Sequence, residues 1–212
     1  MQSLRHIYMC ILINSEIDQL DNIETLTYFP VGNGTYRFTC IRKITKLRKL
    51  SIQEMHENVD VNDLFYELKS LKSLDCLILR GYRFRSMPNL HMLHVLESLT
   101  QLKLDGLITR PLRTTDFPPN ISYLTLVDTC LNQDPMPTLG KLPKLFYLSL
   151  RNAYTGREMV ITWDSFPELG VLILGELWNL RNVIVKRYTM PMLERLEINS
   201  CPYCQERFCR MV

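Results

Sequence analysis

The sequence predicts an α/β solenoid, in which short parallel strands line a concave face and irregular or helical returns close the convex side. Three observations predict it. Pro119, Pro143, Pro167 and Pro191 recur every 24 residues. Two positions after each stands a branched apolar residue, Ile121, Leu145, Leu169 or Leu193, which opens the pattern L-x-x-L-x-L. Similar triplets then run back through the whole chain at a nearly fixed period, as stacked repeats do.

Taken in order, the rungs are Leu4-Ile7-Met9, Ile23-Leu26-Tyr28, Leu47-Leu50-Ile52, Leu74-Leu77-Leu79 and Leu99-Leu102-Leu104. They continue as Ile121-Leu124-Leu126, Leu145-Leu148-Leu150, Leu169-Leu172-Leu174 and Leu193-Leu196-Ile198. The steps between first positions are 19, 24, 27, 25, 22, 24, 24 and 24 residues. That spacing defines a leucine-rich-repeat solenoid, a horseshoe with a concave parallel β-sheet of about nine short strands. Residues 1–202 form the repeat domain and 203–212 a short C-terminal tail. The first rung begins at Leu4 with no polar cap before it, so the domain is expected to be truncated at its N-terminus.

Each element has a local reason. The last two apolar positions of a rung alternate with polar ones, as in a strand with one buried face. The run Arg42, Lys43, Lys46, Arg48 and Lys49 interleaves with Ile41, Ile44, Leu47 and Leu50, which reads as a solvated rim beside core positions. Leu64, Phe65, Leu68 and Leu71, then Leu90, Leu93 and Leu96, have the spacing of helical turns on the convex side. The period prolines suit an extended entry to each strand, and Leu142, Phe166 and Met190 directly before three of them should fill the core. At the turn three residues after each rung, Val31, Met55, Tyr82, Leu107, Ala153 and Leu177 cannot bond the backbone, whereas Thr129 and Cys201 can. The long returns 53–73 and 151–168 are expected to be mobile loops.

Chemistry is mostly excluded. A net charge of +3 does not advertise nucleic acid or acidic lipid. Seven scattered cysteines argue against a disulfide framework and favour a reducing, cytoplasmic setting. The longest apolar run, Ile7 to Ile13, cannot span a membrane and lacks a cleavage site before Glu16. No phosphate loop exists, since Leu142 follows Gly140-Lys141 and Pro135 stands where the first glycine belongs. His56-Glu57 has no second histidine at the required spacing, and His91 and His94 have no evident third ligand. Cys201, Cys204 and Cys209 lack a companion pair. Asn33-Gly34-Thr35 and Asn120-Ile121-Ser122 are formal glycosylation sequons, read as accidental. No catalytic, cofactor-binding or metal residues are assigned, and the chain is not expected to be an enzyme.

Function should therefore lie on the concave surface. The residues between rung positions give Lys49, Ser51, Gln53; Cys76, Ile78, Arg80; Gln101, Lys103, Asp105; and Tyr123, Thr125, Val127. They continue as Tyr147, Ser149, Arg151; Val171, Ile173, Gly175; and Arg195, Glu197, Asn199. Tyr123 and Tyr147 share a column in adjacent repeats, with Val171 next, and Ile78, Val127 and Ile173 are expected to face outward. Aromatic and aliphatic side chains together make a protein-binding patch. Arg80, Lys103, Arg151 and Arg195 would set partner choice. The candidate surface is Arg80, Lys103, Tyr123, Thr125, Tyr147, Ser149, Arg151, Ile173 and Arg195.

Three stretches, FPPNISYLTLVDTCLNQDPMPTLGKLPKLFYLSLRNAYTGREMV (117–160), SFPELGVLILGELWNL (165–180) and MPMLERLEINSCP (190–202), carry a family likeness. With IETLTYFPVG (23–32), they resemble the leucine-rich-repeat region of plant coiled-coil-type nucleotide-binding disease-resistance proteins. The resemblance implies a cytoplasmic, non-enzymatic domain for effector sensing and autoinhibition in plant defence. It implies protein partners: a pathogen effector or modified host protein, and the nucleotide-binding module of the parent protein. That module has no counterpart in these residues. The alternative is a general intracellular scaffold with no immune role. An extracellular receptor ectodomain would show N-x-L-x-G-x-I-P repeats and paired capping cysteines, and neither is visible.

Overall fold

The computed structural model describes residues 4–8, 22–30, 38–82 and 85–204. Eleven strands are found among them: β1 His6–Ile7, β2 Thr25–Pro30, β3 Lys49–Met55, β4 Cys76–Gly81, β5 Gln101–Asp105, β6 Tyr123–Val127, β7 Tyr147–Arg151, β8 Glu158–Ile161, β9 Val171–Gly175, β10 Asn182–Val185 and β11 Arg195–Asn199. Nine form one parallel sheet in the order β1-β2-β3-β4-β5-β6-β7-β9-β11. The rung residues face inward and pair in register, Leu102 with Leu124, Leu124 with Leu148 and Leu148 with Leu172. The core runs the length of this stack, and the leucine-rich-repeat solenoid is as the spacing predicts.

One pattern recurs at the entry of each strand of the main sheet from β2 onward. Two successive amides converge on a single carbonyl of the preceding repeat: those of Ser122 and Tyr123 on Thr100, of Phe146 and Tyr147 on Ser122, of Gly170 and Val171 on Phe146. The shared acceptor fixes the register before the ladder begins.

The period prolines play a different part from the one expected. Each is exposed and follows the first residue of a tight turn rather than leading straight into a strand. The amide of Leu145 donates to Leu142 O, that of Leu169 to Phe166 O and that of Leu193 to Met190 O. Proline suits the second turn position because its ring already holds φ there. The same turn closes without proline at Ile44 to Leu47, Leu71 to Leu74 and Leu96 to Leu99. Leu142, Phe166 and Met190 are buried, as anticipated.

At the opposite end of the strands the turns close through backbone geometry. Asp128, Asn152, Glu176 and Ser200, each one residue past its strand, all have φ between 45° and 55°. The amides of Asp128, Asn152 and Glu176 donate to Arg151 O, Gly175 O and Asn199 O of the following repeat. Gly106 occupies the same place with φ 143°. The left-handed residue turns the chain, so an asparagine at the next positions is not required. Thr129 and Cys201 still bond the backbone: Thr129 Oγ1 donates to Ala153 O at 3.0 Å, and Cys201 Sγ lies 3.9 Å from Leu174 O.

Both long returns carry structure of their own. Residues Asn62–Leu68 form helix α1, which buries Leu64, Phe65 and Leu68, and His91–Val95 form a 3-10 turn over Leu93. A four-residue helix, α2, spans Met136–Leu139. Within 151–168 lies β8, which pairs in parallel with β10 to form a second, two-stranded sheet on the convex side. Its inward residues, Met159, Ile161 and Val183, join the core. The free edge of β8 is met by Asp134, whose Oδ2 accepts the Val160 amide at 2.7 Å.

One rung shifts. The ladder slips between Leu26 and Phe29, so Phe29 rather than Tyr28 fills the core opposite Ile52. Tyr28 has φ 61° and is 45 % exposed. At the two ends the stack thins: Leu4 is exposed, and on β11 Leu196 is 40 % exposed where its equivalents Leu148 and Leu172 are sealed. Met9, Val31, the Asn33 sequon and Cys209 lie outside the described residues.

Candidate functional site

The sheet registers place the predicted surface residues in three columns. The first reads Lys49, Cys76, Gln101, Tyr123, Tyr147, Val171, Arg195, and the second Ser51, Ile78, Lys103, Thr125, Ser149, Ile173, Glu197. The third runs Arg80, Asp105, Val127, Arg151, Gly175, Asn199.

The tyrosine pair forms. The rings of Tyr123 and Tyr147 stack with centroids 5.8 Å apart and planes 30° apart. Tyr123 is 44 % exposed and Tyr147 half-buried. Phe146, just ahead of β7, joins them edge-on, its centroid 6.1 Å from that of Tyr123. Its ring lies over Gly170, where any side chain would collide with it. The strand alternation does not flag Phe146, since it precedes the strand. The usable signal is the glycine exactly one 24-residue period later. Val171 and Ile173 on β9 are half-buried beside this group, with Thr125 and Ser149 in the neighbouring column.

Not every expected residue faces solvent. Val127 and Ser51 are buried, and Gly175 is too. Val127 and Gly175 end their strands, where the turning chain folds over them, so the third column offers less apolar surface than alternation suggests. Ile78 and Ile173 are only half-covered.

The four cations are already engaged. Arg80 Nε and Lys103 Nζ both approach Asp105 Oδ2, at 3.6 and 3.5 Å. The Arg80 guanidinium also sits 6.0 Å from the ring centroid of Tyr28. Arg151 Nε lies 3.2 Å from Glu176 Oε1, and Arg195 Nε donates to Glu197 Oε1 at 2.6 Å. The candidate face is therefore close to charge-balanced, and its distinctive feature is aromatic.

The described residues contain no cluster of three metal-ligating side chains, and the exposed His94 packs its Nδ1 against His91 O. Burial pushes the thiols of Cys76, Cys130, Cys201 and Cys204 up, which keeps them protonated and unreactive. Asn120 of the second sequon holds the carbonyl of Glu97 through Nδ2 and the amine of Lys144 through Oδ1.

The fold and this face together define a leucine-rich-repeat solenoid that presents a parallel sheet. A family model described as a leucine-rich repeat region matches residues 1–210, and the chain belongs to that family. Among curated proteins it is similar to the probable disease resistance RPP8-like protein 4 of Arabidopsis thaliana, 30 % identical over 135 residues. It is also similar to disease resistance proteins RPH8A and RPP8 of the same plant, each 31 % identical over 130 residues. The resemblance read from the stretches between 117 and 202 thus holds. Each match covers 60 % of this chain and 14 % of the relative, so the chain spans a small part of their length. Among the described residues, no helix is long and apolar enough to cross a membrane.

Proposed function

We propose that this chain is a non-enzymatic recognition and regulatory region in plant defence, acting in the cytoplasm. It engages a pathogen effector or a modified host protein through the concave face. The observation that carries the reading is the aromatic trio of exposed Tyr123 and Phe146 and half-buried Tyr147, beside Val171 and Ile173. Aromatic rings fixed by stacking bury large area on binding with little further loss of freedom. The likeness to disease-resistance proteins supports the defence role. The nucleotide-binding module of a parent protein is a second partner under this reading. A ligand then acts only if it prefers the released state over the docked one.

The test replaces Tyr123, Phe146 and Tyr147 together by alanine in the encoding gene and follows pathogen-triggered cell death in leaf tissue. The expected result is loss of the response at wild-type protein level. An undiminished response from equally abundant, folded variant overturns the proposal.

A further inference from the structure

Arg80, Lys103, Arg151 and Arg195 each lie against a carboxylate, whereas among the described residues Lys46, Arg48, Lys49 and Lys72 do not. We infer that the rim of the sheet between β2 and β4 is a docking shelf for an extended acidic segment of a partner protein. The shelf is separate from the aromatic trio, and neither reading depends on the other.

Stacking builds it. The carbonyl of Glu24 accepts the amides of Arg48 and Lys49, and the carbonyl of Arg48 accepts those of Asp75 and Cys76. Arg48 thus stands between two carboxylates, yet both are turned to other partners. Glu24 faces Arg5 Nη1 at 3.6 Å. Asp75 accepts from Thr100 Oγ1 and from Gln101 Nε2. Among the described residues no carboxylate lies within ion-pair reach of Arg48, Lys49 or Lys72. Lys46 donates to the neutral side-chain amide of Asn22 at 2.6 Å, and among the described residues it meets no carboxylate.

Shape agrees with charge. Lys46, Arg48, Glu24 and Ser73 line an open groove by the turns Ile44 to Leu47 and Leu71 to Leu74, and Lys49 and Lys72 adjoin that lining in sequence. All four cations are exposed. Three strands span about 10 Å, and an extended chain repeats a side chain on one face every ~7 Å. The shelf therefore seats two carboxylates of a strand-like segment. Duplex nucleic acid draws its affinity from roughly 6–10 phosphate contacts, more than four cations supply. The net charge of +3 provides no wider field to help.

The probe is a short fluorescent peptide of alternating glutamate and serine, measured by anisotropy against the 212-residue chain at low and physiological salt. A glutamine-serine peptide, duplex DNA and phosphatidylserine vesicles are compared. The variant carries Lys46→Gln, Arg48→Gln, Lys49→Gln and Lys72→Gln, all at exposed positions, and its melting curve checks the fold. The expected result is binding of the acidic peptide that weakens with salt and falls about tenfold or more in the variant. Absence of binding at low salt, equal binding of the neutral peptide, or no change in a folded variant overturns the inference. So does tighter binding of the DNA or the vesicles than of the acidic peptide.

Discussion

The ring of Phe146 occupies the space a side chain at Gly170 would need, with Cε2 where a Cβ would press against it. The glycine is thus what lets the aromatic trio form. Gly170→Ala should push the ring outward, and because the ring is partly exposed it can yield. We expect a stability loss below about 1 kcal/mol, with clear shifts in the Tyr123 ring resonances by NMR. Adding Phe146→Ala should remove the further effect of Gly170→Ala, as coupled neighbours do. Additive effects of the two changes would break the proposed link.

Gly106 presents the opposite case. A Cβ there would stand 2.9 Å from Gly81 Cα, a backbone atom that cannot swing aside, and its φ of 143° strains any other residue. Gly106→Ala should cost roughly 2–4 kcal/mol in chemical denaturation. A loss under half a kcal/mol would mean that the two glycine backbones do not approach as closely as described.

Thr129 is sealed from solvent and donates Oγ1 to Ala153 O across one repeat. Thr129→Val keeps the shape and removes one of the two donors to Ala153 O, the Leu131 amide being the other, so about 1 kcal/mol should be lost. Thr129→Ser keeps the donor and should recover part of it. If valine and serine behave alike in a denaturant titration, the bond contributes nothing.

Burial raises the thiols of Cys76, Cys130, Cys201 and Cys204 above their ordinary value of 9.0. The folded chain then holds these protons more tightly than the unfolded one. Their contribution to stability is intact below about pH 9 and lost as pH climbs through the raised range. Native alkylation by iodoacetamide should be slow at neutral pH and keep accelerating past the point where the unfolded control levels off. A native rate that plateaus with the unfolded control refutes the shift.

The repeat itself was legible because leucines at fixed spacing have one stable arrangement, stacked and inward. What the pattern hid followed from the backbone. A slip between Leu26 and Phe29 moves an aromatic into the core, and a spacing rule applied rigidly picks Tyr28. The left-handed residues Asp128, Asn152, Glu176 and Ser200 share a conformation but no side-chain type, so composition cannot mark the turns they make. Residues 158–161 and 182–185 pair only because the stack brings them side by side, and each alone is too short to read as a strand. On the candidate face, the alternation located Tyr123, Tyr147, Thr125, Ser149 and Ile173. It could not show that Arg80 and Lys103 share Asp105 while Arg151 meets Glu176 and Arg195 meets Glu197, since these contacts cross strands, reach a turning residue or skip one strand position.

The small sheet of β8 and β10 backs the repeats of β7 and β9. Neighbouring strands stand about 4.8 Å apart on either face of the stack, whereas helices on a convex side demand roughly 10 Å each. The two repeats whose returns carry β8 and β10 therefore keep strand pitch on both sides of the core. Tyr147 and Val171, paired on the front of those repeats, are held at that one spacing from behind as well.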